Sequence, residues 1–333
     1  MEKLVEREPA QPENASSSAP ALAVQFFLIP LAVVAVIVLV YGGFRLLMSS
    51  ERTPQEYLTD VKSGGRERRW PAAYELSRLL VEDPDIEIRH PNLGADMVDV
   101  FSELTDAART TSFTPTGWMS WSGDDAGVRR YLALAIGRLS RPPPEAVVAL
   151  VGALDDPDPE TRIGVIWALA SIGDESVIAD VEAMYKAEDA GVRKMAVYAL
   201  GALPAGLESS TLKLALEDPV VDVQWNAAVS LARHGSSEGL SVLQRMIDRA
   251  YVDRMVSRTP QLDSATDPVS EVMVGALEAV AALQVGSLRS EIEILSRQDT
   301  SLRVREVALR ALDVLNLAAI ENQGSMTLMN EIR

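Results

Sequence analysis

Residues 125–139 read DAGVRRYLALAIGRL, and residues 189–203 read DAGVRKMAVYALGAL. A chain that restates one stretch 64 residues later is organised as a repeat array, because self-similarity at a fixed period marks stacked supersecondary units. The Val-Arg pair of that stretch recurs as Val128-Arg129, Thr161-Arg162, Val192-Arg193, Val223-Gln224, Val272-Met273 and Val304-Arg305. The spacings are 31 to 33 residues, except for 49 between Val223 and Val272, where AYVDRMVSRTPQLDSATDPVS (250–270) reads as an insertion. Each pair opens an Ala/Leu-rich segment with apolar residues at offsets 0, 4, 7, 8 and 11 from its first member. These offsets fall on one face of a helix.

An Asp-bearing turn precedes each segment. Asp156, Asp218, Asp267 and Asp299 stand six residues before the second member of their pair, and Asp125, Asp158 and Asp189 stand four before theirs. Aspartate at the start of a helix accepts from free backbone N–H groups and suits the positive end of the dipole. Segments such as PEAVVALVGAL (144–154) and ESVIADVEAMY (175–185) supply second helices between the turns. Each unit therefore reads as helix–turn–helix. The arginines at offset 1 lie close to the acidic turns, which predicts an Asp–Arg ladder between neighbouring units.

The pattern D-x-x-V-R-x-x-A-x-x-A-L-G, nearly intact in Asp189–Gly201, resembles the HEAT repeat, in the short form found in phycobilisome lyase-type proteins. The resemblance spans roughly residues 120–320. It implies an all-α, right-handed α-solenoid of six or seven HEAT-like helix–turn–helix repeats whose usual work is binding other proteins. It also implies one enzymatic alternative, a bilin-lyase-like activity.

Composition narrows the remaining classes. Hydrophobic residues make up 47% of the chain but aromatic ones only 5%, a mixture that favours close-packed helices over strands. With no cysteine, disulfides and thiolate metal or redox chemistry are excluded. A formal net charge of −17 without a basic face speaks against nucleic acid as a partner.

From Ala21 to Phe44 the chain carries no charge. About 20 apolar residues span a bilayer as a helix, which predicts a single-pass transmembrane anchor over 21–48. The run exceeds the h-region of a cleaved signal peptide. Lys3 and Arg7 precede it, whereas Arg45, Arg52, Lys62, Arg66, Arg68 and Arg69 follow it. The positive-inside rule then places the N-terminus outside and the repeat domain in the cytoplasm, at the inner cell membrane. The expected division is a disordered tail (1–20), the transmembrane helix (21–48), and a linker with a degenerate first repeat and a Trp-containing loop (49–125). The repeat solenoid follows (126–320, with its insertion near 250–270), then a C-terminal tail (321–333). The loop around Trp118 and Trp121 is expected to cap the end of the array.

The sequence offers no reactive constellation. His90 and His234 neighbour no metal or triad set, and DDPDPE (155–160) lacks the ligand spacing and glycine of an EF-hand. Ser210 and Lys213 match S-x-x-K without its companion motifs, and there is no phosphate-binding loop. No catalytic residue, cofactor, metal or small-molecule substrate is expected. Offsets 2 and 6 point away from the core, and at offset 6 the first four helices carry Leu134, Trp167, Tyr198 and Val229, with Ile163 and Trp225 at offset 2 beside them. An apolar stripe where a solvated groove should be polar marks a binding face. The expected function is a membrane-anchored scaffold or adaptor that binds a protein partner through Leu134, Ile163, Trp167, Tyr198, Trp225 and Val229. The partner is expected to be a membrane complex or its cytosolic subunit. The alternative is an accessory or assembly subunit of a membrane enzyme or transporter.

Overall fold

The computed structural model describes residues 29–48, 52–111, 123–204, 210–257 and 267–331. The expected tail at 1–20 and the Trp118/Trp121 loop lie outside them, as do residues 258–266 of the expected insertion. The chain divides into two units, residues 1–53 and 54–333.

The first unit contains helix α1 (Ile29–Met48). Its side chains from Leu31 to Tyr41 are exposed. Among the described residues no helix is long and apolar enough to cross a membrane. This finding overturns the single-pass anchor over 21–48 and the inner-membrane localisation read from it.

Among its described residues the second unit is helical throughout, without strands. Seven helices form one row: α3 (Arg66–Glu82), α6 (Gly123–Ile136), α8 (Pro159–Ile172), α10 (Ala190–Ala202), α12 (Val221–Arg233), α15 (Pro268–Leu283) and α17 (Leu302–Glu331), each packed on the next. A second row flanks it: α2 (Pro54–Ser63), α5 (Leu93–Thr111), α7 (Glu145–Gly152), α9 (Ile178–Met184), α11 (Ser210–Ala215), α13 (Leu240–Met246) and α16 (Arg289–Gln298). Two further helices interrupt the alternation, α4 (Ile86–Arg89) and α14 (Arg249–Val256). Residues 321–331, expected as a tail, continue α17 as helix, in a stretch free of proline.

The heptad-like offsets describe the burial well. On α10 Val192, Ala196, Ala199, Leu200 and Leu203 are all buried, as are Val128, Leu132, Ala135, Ile136 and Leu139 at the corresponding positions from α6 onward. Small residues set how closely the first row packs. A Cβ on Gly137 would lie 2.6 Å from the Ala168 Cα, and one on Gly201 would lie 2.2 Å from the Ser230 Oγ. Both glycines stand nine residues after their anchor and meet the residue seven after the next one. The glycine that ends the D-x-x-V-R motif is thus a point of close approach between neighbouring helices, and a side chain there would push them apart.

The turns carry two kinds of acid. Asp158 and Asp189 cap their helices, accepting from Thr161 N at 2.8 Å and Val192 N at 2.9 Å. Asp156 and Asp218 instead hold arginines of the preceding unit, Arg129 and Arg193. Every acid of Asp155–Glu160 has a partner inside the chain: Arg109 for Asp155, Arg129 for Asp156, the α8 N-terminus for Asp158 and Arg130 for Glu160. The segment is a structural turn, and among the described residues no acid or histidine cluster could hold a metal ion.

Candidate partner-binding face

The structure places Leu134, Trp167, Tyr198 and Val229 on α6, α8, α10 and α12, four helices that pack in sequence. All four are half-buried, as is Ile163, one turn before Trp167 on α8. Two arginines bracket the aromatic pair. The Arg138 guanidinium lies 5.4 Å from the Trp167 ring centroid, and that of Arg233 lies 5.5 Å from the Tyr198 ring. Both distances are within cation–π range. Both arginines stand ten residues after their anchors, Val128 and Val223, so the same repeat register that presents the aromatics presents the cations.

Trp225 does not join this face. It is 5% exposed and belongs to a second core cluster with Val252 of α14 and Val274 of α15. The helical wheel alone directs offset 2 outward. The 49-residue module, however, adds α14 against α15, and the offset-2 residues of both flanking helices, Trp225 and Val274, become core. The Trp225 Nε1 is buried without a hydrogen-bond partner among the described residues. Farther along, Glu278 and Arg310 at offset 6 are exposed and charged, so the apolar row ends at Val229.

Sequence reasoning missed an aromatic cluster at the other end. Trp70 and Tyr74 of α3 stack with centroids 6.0 Å apart, and Tyr131 of α6 meets them edge-on at 5.7 and 5.3 Å. Trp70 and Tyr74 remain 39% and 41% exposed, which makes them available to a ligand despite their mutual packing. The i, i+4 spacing in WPAAY was the available signal.

The residues that resemble catalytic groups have structural employment. His234 Nε2 lies 2.9 Å from the Leu200 carbonyl. Lys213 pairs with Glu238 at 2.9 Å, away from Ser-directed chemistry. His90 lies at the end of α4 and lines a cavity of about 340 Å³ with Glu87 and Arg141, but Glu87 is already engaged, accepting from Ser140 N at 2.8 Å and Ser140 Oγ at 2.7 Å.

Comparison with known proteins supports the repeat reading. The family described as HEAT repeats matches residues 121–201, spanning α6, α8 and most of α10. No curated protein matches the chain. Similar solved structures include two engineered proteins, each 19% identical. One covers 80% of this chain and 97% of its own at a TM-score of 0.37, and the other covers 79% and 78% at 0.39. Human deoxyhypusine hydroxylase in complex with glycerol is 19% identical and covers 79% of this chain and 97% of its own at a TM-score of 0.31. At these identities and TM-scores no property of those proteins passes to this chain. What stands is an all-helical array with HEAT-type sequence over residues 121–201.

Proposed function

We propose that the array is a scaffold or adaptor and that it takes a protein partner along the row Leu134, Trp167, Tyr198 and Val229, with Ile163 at its edge. The observation that carries this reading is the bracketed aromatic pair. Trp167 and Tyr198 sit on adjacent helices, partly open, each under an arginine of a neighbouring repeat. Tryptophan, tyrosine and arginine are the residue types that dominate binding energy at protein interfaces. An amphipathic helix or extended segment with apolar anchors and acidic flanks suits such a face, the acids meeting Arg138 and Arg233. Fold alone does not carry function, so the proposal rests on this row and not on the repeat class.

The test is crosslinking of the full-length protein in its own cells, with its neighbours compared to those of a Trp167→Ala/Tyr198→Ala variant of matched unfolding midpoint. The expected result is that a specific set of proteins disappears with the double change. An unchanged set would show that the two aromatics serve packing alone and would end the proposal.

A further inference from the structure

Three inter-repeat arginines hold their acids in the same way. Arg129 Nε and Nη2 donate to the two oxygens of Asp156 at 2.7 and 3.0 Å. Arg193 does the same with Asp218 at 2.9 and 3.2 Å, and Arg249 with Asp299 at 2.8 and 2.7 Å. Each carboxylate stands six residues before the second member of the next anchor pair: Arg162, Gln224 and Arg305 respectively.

Arg162 occupies the same register as Arg129 and Arg193, and its acid should stand six residues before Arg193. That residue is Ala187. The consequence is visible in the structure. The Arg162 Nε is buried and has no hydrogen-bond partner among the described residues. Two carbonyls and one carboxylate of the turn are committed elsewhere. The Ala187 and Glu188 carbonyls accept from Arg193 Nη1 at 3.0 and 2.8 Å, and Asp189 caps Val192. A buried guanidinium N–H without an acceptor is costly, and the planar fork of arginine matches a carboxylate with two parallel hydrogen bonds.

We propose that Arg162, with the gap left by Ala187, is a carboxylate-binding subsite. It would take from outside the chain the group that Asp156 and Asp218 supply to Arg129 and Arg193. The carboxylate belongs either to a small free acid or to an aspartate or glutamate side chain of a bound protein. The chemistry is the same, and the subsite does not depend on the aromatic row.

The Arg162 Nε–H resonance of the full-length protein, assigned by its loss in Arg162→Gln, reads the subsite directly. Titration with acetate should shift it saturably, whereas chloride at equal ionic strength should not. In Ala187→Asp the resonance should start at the acetate-bound position and no longer respond. Should that variant not fold, the wild-type titration against chloride decides alone. Capped Gly-Glu-Gly and Gly-Gln-Gly peptides separate the sources. A saturable response to the glutamate peptide as well as acetate assigns a protein side chain, and a response to acetate alone assigns a small free acid. A resonance that ignores acetate, or follows chloride equally, shows that the gap holds only water and overturns the proposal.

Discussion

The turn at Asp155–Glu160 and the turn at Ala187–Asp189 occupy equivalent places in successive repeats, yet only one joins its neighbours. Both cap the helix that follows, through Asp158 and Asp189. The first also closes a rung to the preceding repeat, because Asp156 grips Arg129. The second has alanine at that position and leaves Arg162 Nε bare. Capping is a local property that one acid satisfies at the helix end. A rung needs an acid and an arginine from different repeats to agree. In an array whose units contact only their neighbours, a lost rung weakens one interface and leaves the others standing.

The closed rung offers the largest test of that contrast. The side chains of Arg129 and Asp156 are 2% and 0% exposed, so Asp156→Ala strands a buried cation. Removing one partner of a buried pair costs about 3–5 kcal/mol. The same change also deprives Asp158 N of its acceptor, Asp156 Oδ1, at 2.9 Å. Urea denaturation of the two proteins should show a loss of that size. A loss under about 1 kcal/mol, the scale of an exposed pair, would mean that water reaches the rung and that closed and open rungs hardly differ.

Where the repeat loses its arginine in another way, a residue just before the inserted segment replaces it. The residue after Val272 is Met273, which has no cation to offer Asp299. Arg249, at the start of α14, reaches Asp299 instead and donates to the Ser270 Oγ at 3.3 Å. Arg249 is 26% exposed while Asp299 is 1% exposed at the side chain, so the pair is less sheltered than the first rung. Arg249→Ala should therefore cost less, about 2–3 kcal/mol, because the buried Asp299 loses its cation but keeps the Ser301 N–H at 2.8 Å. Equal losses for Asp156→Ala and Arg249→Ala would break the ordering by burial.

Much of this was legible in the residues. The anchor pairs and their offsets give the core face of the first-row helices from α6 onward, because burial follows the 3.6-residue period wherever a helix has one neighbour on each side. The ladder was legible for Arg129 and Arg193, since both halves recur at fixed spacing. The helical wheel turns Leu134, Ile163, Trp167, Tyr198 and Val229 away from the core, and all five are half-buried, but it did not foresee that Trp225 is buried. Trp225 shares its core cluster with Val252 of α14, a helix outside the repeat, and a single-helix wheel contains no information about an added layer. The Trp70–Tyr74–Tyr131 cluster was missed because Tyr131 lies on another helix, 57 residues after Tyr74. The apolar run at 21–44 suggested a membrane span by length alone, and no described helix has the length and apolarity to supply one.

The open rung can be closed. Ala187→Asp places a carboxylate in the register that Asp156 and Asp218 occupy, opposite Arg162. A hydrogen-bonded pair formed there should add about 1 kcal/mol to stability. The gain should vanish when Arg162 is also changed to Gln, which a double-mutant cycle on urea midpoints measures. A gain that persists without Arg162 would assign the effect to helix-end charge and not to the rung.

The smallest effect distinguishes an acid that only caps from one that also faces the ladder. Asp267 accepts from the Ser270 Oγ and from Val269 N at 3.1 Å, and lies 3.9 Å from Arg249. The Ser270 hydrogen bond, the leading cause, holds the Asp267 carboxyl below its ordinary value of 3.8, with partial burial acting in the opposite direction. A depressed folded value means that the unfolded chain binds the proton first as pH falls. The associated stability is therefore complete above the unfolded value of 3.8 and is lost as pH falls through the lower folded value. Ser270→Ala removes the leading cause, moves the folded value back toward 3.8 and shrinks the loss. Asp218 has the same sign: burial, the largest single effect, raises its value, but the Arg193 and Val220 hydrogen bonds and the Arg193 charge together outweigh it, so a pH dependence remains in the variant. Urea midpoints at about pH 5 and about pH 3 should fall less in Ser270→Ala than in the parent. Identical falls would show that Asp267 keeps its low value through Arg249 and the backbone, and would place it with the ladder acids after all.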